Sequence, residues 1–352
     1  MTALDEPGAI REGEALDQGA LVAYLGSRLP AVGGSIAVRQ FRKGHSNLTY
    51  LVRIGDAEYV LRRPPFGNVV KTAHDMGREF RVLSALAPVF PLAPAPLVLC
   101  DDPSVIGAPF YLMERRYGLV LRRALPEGLL LGPDLADRLS AAMVETLVAL
   151  HGLDDRAVGL EDFGKPAGYV RRQVEGWTRR YLAAATSDVR ALNDVAAWLA
   201  ERMPPERGAA VIHNDFKFDN VMVAGDDPAR LVAVLDWEMA TVGDPLMDLG
   251  CSLAYWIEAT DPEPLRAVAM GPTAMPGMWT RRRIVDEYAR RSGLAVDDPS
   301  FYLVFGLFKL AVILQQIYAR FVRGVTRDER FRTMDRTVAV LARHAAVEAG
   351  LE

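Results

Sequence analysis

Cysteine, basic excess and long apolar stretches are all scarce in this 352-residue chain, and each scarcity removes a class of protein. The two cysteines, Cys100 and Cys251, lie far apart and without metal-ligand spacing. That excludes a disulfide framework and fits a reducing compartment with two inert thiols. The formal net charge of −4 leaves no basic surplus for phosphate backbones, so nucleic acid is not an expected partner. The most apolar run, "FYLVFGLFKLAVIL" from Phe301 to Leu314, is too short to span a bilayer and carries Lys309. It reads as a buried helix, and no membrane partner is expected. The amino-terminal "MTALDEPGAIREGEALD" is acidic and has no apolar centre, so no signal peptide is expected and the cytoplasm is the default location. No fixed-period repeat or low-complexity segment is found, and nothing specifies an oligomeric state.

Half of the residues are apolar, 24% are charged and 8% are aromatic, the composition of an ordinary globular protein. The length exceeds a usual single core, which predicts two lobes. The pattern changes character once. Up to about residue 115, short β-rich runs ("SIAVRQF", "LTYLVRI", "EYVLRR", "PLVLC", "FYLMER") surround one helical stretch, "MGREFRVLSAL". Gly55-Asp56 between two of these runs is a hairpin signal. From Leu135 onward helical spacing dominates; Val170, Val174, Trp177 and Tyr181 recur at i, i+4, i+7 and i+11 on one face. Three short strands, "AAVIH", "NVMVA" and "LVAVLD", interrupt the helices, with a turn at 225–228 between the second and third. The expected class is α+β, a small antiparallel sheet followed by a larger, mainly helical part.

Between the first two of those strands lies "HNDFKFDN", with His213, Asp215, Lys217, Asp219 and Asn220 inside eight residues. Such polarity has two readings, a surface turn whose side chains satisfy their own backbone or a catalytic loop carried between strands. Asp215, Asn220 and Asp236 would place three oxygen-bearing side chains at one sheet edge. Hard oxygen ligands suit magnesium, and a carboxylate near magnesium-bound phosphates is what phosphoryl transfer requires.

"HNDFKFDN" followed by "LDWE" resembles the catalytic loop and metal-binding Asp of the aminoglycoside phosphotransferase family, small-molecule relatives of protein kinases. The first third offers the matching parts in order. "FRKGHSNLTYLV" resembles the phosphate-covering turn, with Gly44, Ser46 and Asn47 as its contacts. Arg62 in "YVLRRPP" stands where the family has its phosphate-pairing Lys, and Glu79 in "REFRVLSAL" where the partner Glu belongs. "FYLMER" resembles the strand leading into the adenine-binding hinge at Glu114. The resemblance implies a protein-kinase-like two-lobe fold, with a nucleotide-binding lobe over 1–115 and a helical lobe over 116–352 that carries the catalytic loop and the substrate site. It implies ATP and magnesium as cofactors, Asp215 on the acceptor hydroxyl, Lys217 on the transferring phosphate, and Asn220 and Asp236 on magnesium. Asp248 in "GDPLMDLG" would brace the loop, His213 would be structural, and Glu238 is either a further metal contact or a solvated residue.

Asn214 stands where the family usually has Gly; Asn tolerates the left-handed conformation better than most residues. Arg62 in place of Lys binds as a planar fork instead of a point charge. Taken with "AHDMGREF" and "LDWEMATVGDPLMDLG", the set looks most like the kinase-like domains joined to acyl-CoA dehydrogenases, a subgroup in which Arg is common at this position. That resemblance implies a hydroxyacyl-CoA acceptor; an aminoglycoside is the alternative. Arg171, Arg172, Arg179, Arg180 and the run Arg281 to Arg283 lean towards an anionic substrate, although basic helical runs are usually solvated faces. The segment around Phe301 to Tyr318 would wall an acyl pocket or be plain core. Two other classes stay open: a nucleotide-binding module with little turnover, and a metal-dependent hydrolase built from His213, Asp215, Asp236 and Glu238, the latter weakened by the few histidines.

Overall fold

A computed structural model of the chain describes residues 7–29, 35–41, 47–66, 75–186, 189–326 and 328–352. In chain order these form α1 (Gln18–Leu25), β1 (Ile36–Phe41), β2 (Leu48–Ile54), β3 (Ala57–Arg63), α2 (Met76–Leu86), β4 (Pro96–Cys100), β5 (Phe110–Glu114) and β6 (Leu119–Val120). There follow α3 (Pro133–His151), α4 (Tyr169–Ala184), α5 (Arg190–Glu201), β7 (Ala210–Ile212), β8 (Val221–Val223), β9 (Leu231–Val234) and β10 (Thr241–Gly243). The chain ends with α6 (Pro245–Tyr255), α7 (Glu263–Ala267), α8 (Arg281–Ser292), α9 (Ser300–Val322) and α10 (Met334–Glu348). Two compact units divide these elements: the first takes 1–120, 126–128 and 220–240, the second the remainder.

In the first unit, β1 to β5 form an antiparallel sheet in the order β1-β2-β3-β5-β4. Alternation explains its core. Tyr50, Val52 and Ile54 on β2 are buried, and they cluster with Leu21 and Leu25 of α1. Gly55 closes the β2–β3 hairpin with φ 58°, a conformation that an L side chain resists. Met76, Glu79, Val82, Leu83 and Leu86 form the buried stripe of α2, so Glu79 is carried inward by helical periodicity although it is charged. Asp75 caps this helix by accepting from the Arg78 N–H at 2.9 Å. A second sheet, β6-β8-β9, completes the unit.

Three features depart from the sequence reading. The first unit has a second helix, α1, too short for its period to stand out and started by Asp17, which accepts from Ala20 N–H. The three strands around the polar loop do not share a sheet, because β7 pairs with β10 while β8 and β9 pair with each other. And α9 outruns the apolar segment 301–314 and is long and apolar enough to cross a membrane, yet 78% of its most apolar window is buried inside the protein, as in a core helix.

In the second unit α4, α5, α6 and α10 pack against α9. The α6–α9 contact depends on two glycines: a Cβ on Gly250 would lie 2.2 Å from the Tyr302 carbonyl oxygen, and one on Gly306 2.2 Å from the Gly250 oxygen. Backbone atoms cannot swing aside, so Gly250→Ala is expected to lower stability by about 1–3 kcal/mol or more. A thermal melt checks this, and an unchanged midpoint would refute it.

Candidate active site

Arg62 is the centre of the polar cluster in the first unit. It projects from β3 opposite Tyr111 of β5, is 7% exposed, and reaches the Glu79 carboxylate at 2.8 Å with one nitrogen and Asp236 Oδ1 at 2.8 Å with the other. Burial opposes its charge, but Glu79 and Asp236 hold the guanidinium well above its ordinary value. Asp236 follows β9 with φ 67° and ψ 63°, left-handed for a non-glycine residue. Asn220 precedes β8, and its carbonyl accepts from Leu235 N–H at 2.8 Å, so the β8–β9 pairing brings Asn220 and Asp236 together. The Asp236 side chain is 30% exposed, and the two residues offer the hard oxygens that magnesium takes when substrate phosphates complete its shell.

Asn47 donates its side-chain amide to Glu238 at 2.9 Å, which places Glu238 against the start of β2 instead of in free solvent. Gly44 and Ser46, the other expected contacts of the phosphate-covering turn, lie outside the described residues. Glu114 ends β5 with its N–H bonded to the Ala95 oxygen at 2.9 Å and its carboxylate accepting from Ala95 N–H at 2.8 Å. Its N–H is thus committed to the sheet edge.

The second unit holds Asp215. Both of its oxygens accept from the Lys217 ammonium, at 2.9 and 2.8 Å, and Oδ1 also accepts from the Tyr255 hydroxyl at 2.7 Å. Lys217 in turn lies over the Tyr255 ring, 4.5 Å from its centre. Burial, and then the Asp215 carboxylate, push the Tyr255 phenol well above its usual range, so it remains an O–H donor.

Beneath this trio Asp248 is fully buried and accepts the N–H groups of His213 and Asn214, each at 2.7 Å. It therefore braces the loop as expected. His151 Nε2 lies 3.1 Å from Asp248 and must donate, because a carboxylate only accepts; its Nδ1 lies 2.7 Å from the Tyr288 hydroxyl. Burial, the largest single influence, would raise the Asp248 pKa, but the hydrogen bond and charge of His151 and the contacts with His213 together hold the carboxyl below the usual range. His213 is buried, with Nδ1 accepting from Asp215 N–H at 3.2 Å, a structural role. Asn214 adopts φ 64°. Among the described residues, Asn214 and Asp236 are the non-glycine residues with positive φ, and such strain concentrates at functional sites.

A pocket of about 550 Å³ in the second unit adjoins Lys217 and Tyr255. Phe216, Phe218, Leu253, Trp256, Met143 and Ile284 supply apolar walls, and among the described residues Asp219 is the one carboxylate lining it. Phe218 and Trp256 contact each other with ring centres 5.7 Å apart. The segment Phe301 to Tyr318 contributes nothing to these walls; it is plain core. None of the arginines that leaned towards an anionic substrate lines the pocket either. Arg281 is bound to Asp261 at 2.6 Å and Arg283 to Asp137 at 2.8 Å, Arg282 pairs with Asp286 at 3.0 Å, and Arg180 lies over the Trp177 ring. Among the described residues no three His, Cys, Asp or Glu side chains are grouped to hold a metal ion.

Sequence reasoning missed Tyr255 and His151 as site residues. Tyr255 had a signal, since it lies seven residues beyond Asp248 (248 to 255) and so two turns along the same face of α6. His151 had none, because its partners stand 97 and 137 residues away.

A family model described as "Phosphotransferase enzyme family" matches residues 37–285. Acyl-CoA dehydrogenase family member 11 of Gallus gallus is 38% identical over 99% of this chain and 45% of its own length. Acyl-CoA dehydrogenase family member 10 of Mus musculus is 36% identical over 90% of this chain and 29% of its own. The chain thus spans less than half the length of these relatives. A crystal structure from Ralstonia eutropha, assigned as an aminoglycoside phosphotransferase, is 31% identical with a TM-score of 0.81, covering 96% of this chain and 99% of that one. The fold is therefore the protein-kinase-like one, a small antiparallel sheet followed by a larger helical unit.

Proposed function

Because this chain belongs to the phosphotransferase enzyme family, we propose that it moves the γ-phosphate of ATP, with magnesium, to a hydroxyl of a small molecule, and that the acceptor is a hydroxyacyl-CoA. The observation that carries the choice of acceptor is the pocket beside Lys217 and Tyr255. Its walls are apolar and aromatic, with Asp219 as the one acid among the described residues, which suits an acyl chain and offers little to a polycationic aminoglycoside. The acyl-CoA dehydrogenase names of the similar proteins support the same class.

Each side chain then has a task. Asp215 accepts the proton of the acceptor hydroxyl as its oxygen attacks the γ-phosphorus and ADP departs. Tyr255 and Lys217 hold that carboxylate in one orientation, and Lys217 offsets charge on the transferring group. Asn220 and Asp236 would hold magnesium, which when bound neutralises phosphate charge. Arg62, held between Glu79 and Asp236, supplies positive charge for the phosphates, and an adenine contact at Glu114 falls to its carbonyl.

A screen that follows ADP release with hydroxyacyl-CoAs and aminoglycosides side by side tests the reading. Release with the acyl-CoA alcohols is expected. Release with aminoglycosides alone would reassign the acceptor, and ATP binding without any release would make the chain a nucleotide-binding module.

A further inference from the structure

Lys309 stands out in α9, a helix whose buried positions are otherwise occupied by residues such as Phe305, Phe308, Leu310 and Val312. It is 4% exposed, and no carboxylate among the described residues lies within ion-pair distance of it. Its ammonium donates to the Asn214 carbonyl at 2.6 Å and to Cys251 Sγ at 3.4 Å, with the Trp177 ring centre 5.7 Å away. Burial pushes the Cys251 thiol up, so the sulfur contributes no formal charge to balance the lysine. A buried cation with no carboxylate in direct contact is costly, and methionine would fill the same space without that cost.

What the cation holds is the peptide unit on which the catalytic carboxylate hangs. The Asn214 carbonyl and the Asp215 N–H belong to one planar group. Lys309 grips its oxygen, and His213 Nδ1 accepts its N–H at 3.2 Å. Asn214 itself is left-handed and is tied twice more, by Asp248 at its N–H and by the Tyr169 hydroxyl, which donates to its side-chain oxygen at 3.1 Å. Loss of the Lys309 bond would free this plane to rotate and carry the Asp215 Cα with it.

We infer that Lys309 is a positioning residue for phosphoryl transfer, fixing the Asn214–Asp215 peptide so that Asp215 meets the acceptor hydroxyl. This rests on the phosphotransferase reading for its effect on rate, but not for its effect on the loop. The test compares Lys309→Met and Lys309→Gln with the unaltered protein by amide hydrogen exchange of the 211–219 segment, by kcat and KM, and by thermal melting. In the Met variant the segment should exchange faster, kcat should fall about 10²-fold with KM for ATP and acceptor unchanged, and the melting temperature should hold or rise. The Gln variant, which keeps one donor for the carbonyl, should recover part of both losses. Unaltered exchange and kcat in the Met variant would overturn the inference, as would a Gln variant no better than Met. A Met variant that fails to fold would also overturn it, by assigning Lys309 to the core. If the unaltered protein transfers no phosphate, the reaction assignment fails while the exchange result still decides the role of Lys309.

Discussion

Asp215→Asn should cut phosphate transfer by a factor on the order of 10² to 10⁴ while leaving magnesium-ATP binding unchanged. The amide keeps the size of the carboxylate but cannot accept a proton, and it turns an NH₂ group towards donors. In the native protein both Asp215 oxygens accept from Lys217, and Oδ1 accepts from Tyr255 as well. An asparagine can satisfy only part of that set. The nucleotide contacts proposed for Asn220, Asp236 and Arg62 do not involve this side chain. Single-turnover transfer and calorimetric titration with magnesium-ATP separate the two effects. Substantial residual transfer would remove Asp215 from the chemistry, and a parallel loss of nucleotide affinity would place it on the metal.

Asp236→Ala should do the opposite, weakening magnesium-dependent nucleotide binding on the order of 10²-fold, at least the loss expected from disturbing a metal site. It also removes a carboxylate bound directly to the buried Arg62 guanidinium. Some stability should be lost with it, moderated because Glu79 remains and because Asp236 is partly exposed. Asp236→Asn distinguishes the causes. Its side-chain oxygen can still accept from Arg62, so the fold should survive better than in the alanine variant, while the metal loses its charged ligand. Unchanged nucleotide affinity in both variants would count against Asp236 as a magnesium ligand.

The parts of the fold that could be read from sequence are those with a period. β2 spans the residues of "LTYLVRI" and α2 those of "MGREFRVLSAL", because alternation and helical spacing are imposed by burial on one face. The pairing of Thr241–Gly243 with β7 was not legible, since three residues carry no period and the partner lies about thirty residues away. The candidate site divides in the same way. Asp215, Lys217, Asn220 and Asp236 could be chosen because their types and spacing resemble a family's motif. Asn214 announced its backbone, since an asparagine where glycine is usual predicts the left-handed φ of 64° that it adopts. What the motif leaves silent is the support beneath it. His151 and Tyr288 come from distant helices, and the pocket walls are ordinary core residues in the sequence. The arginine runs leaned towards an anionic substrate against the stronger expectation of solvated faces, and Arg281, Arg282 and Arg283 are each bound to a carboxylate of the protein itself.

The most direct measurement is the mass of the acceptor after incubation with the protein, ATP and magnesium. A hydroxyacyl-CoA should gain one phosphoryl group on its acyl hydroxyl, and the gain should vanish with Asp215→Asn. An unmodified acyl-CoA beside a phosphorylated aminoglycoside, or ATP that binds and never loses its phosphate, would contradict the assignment.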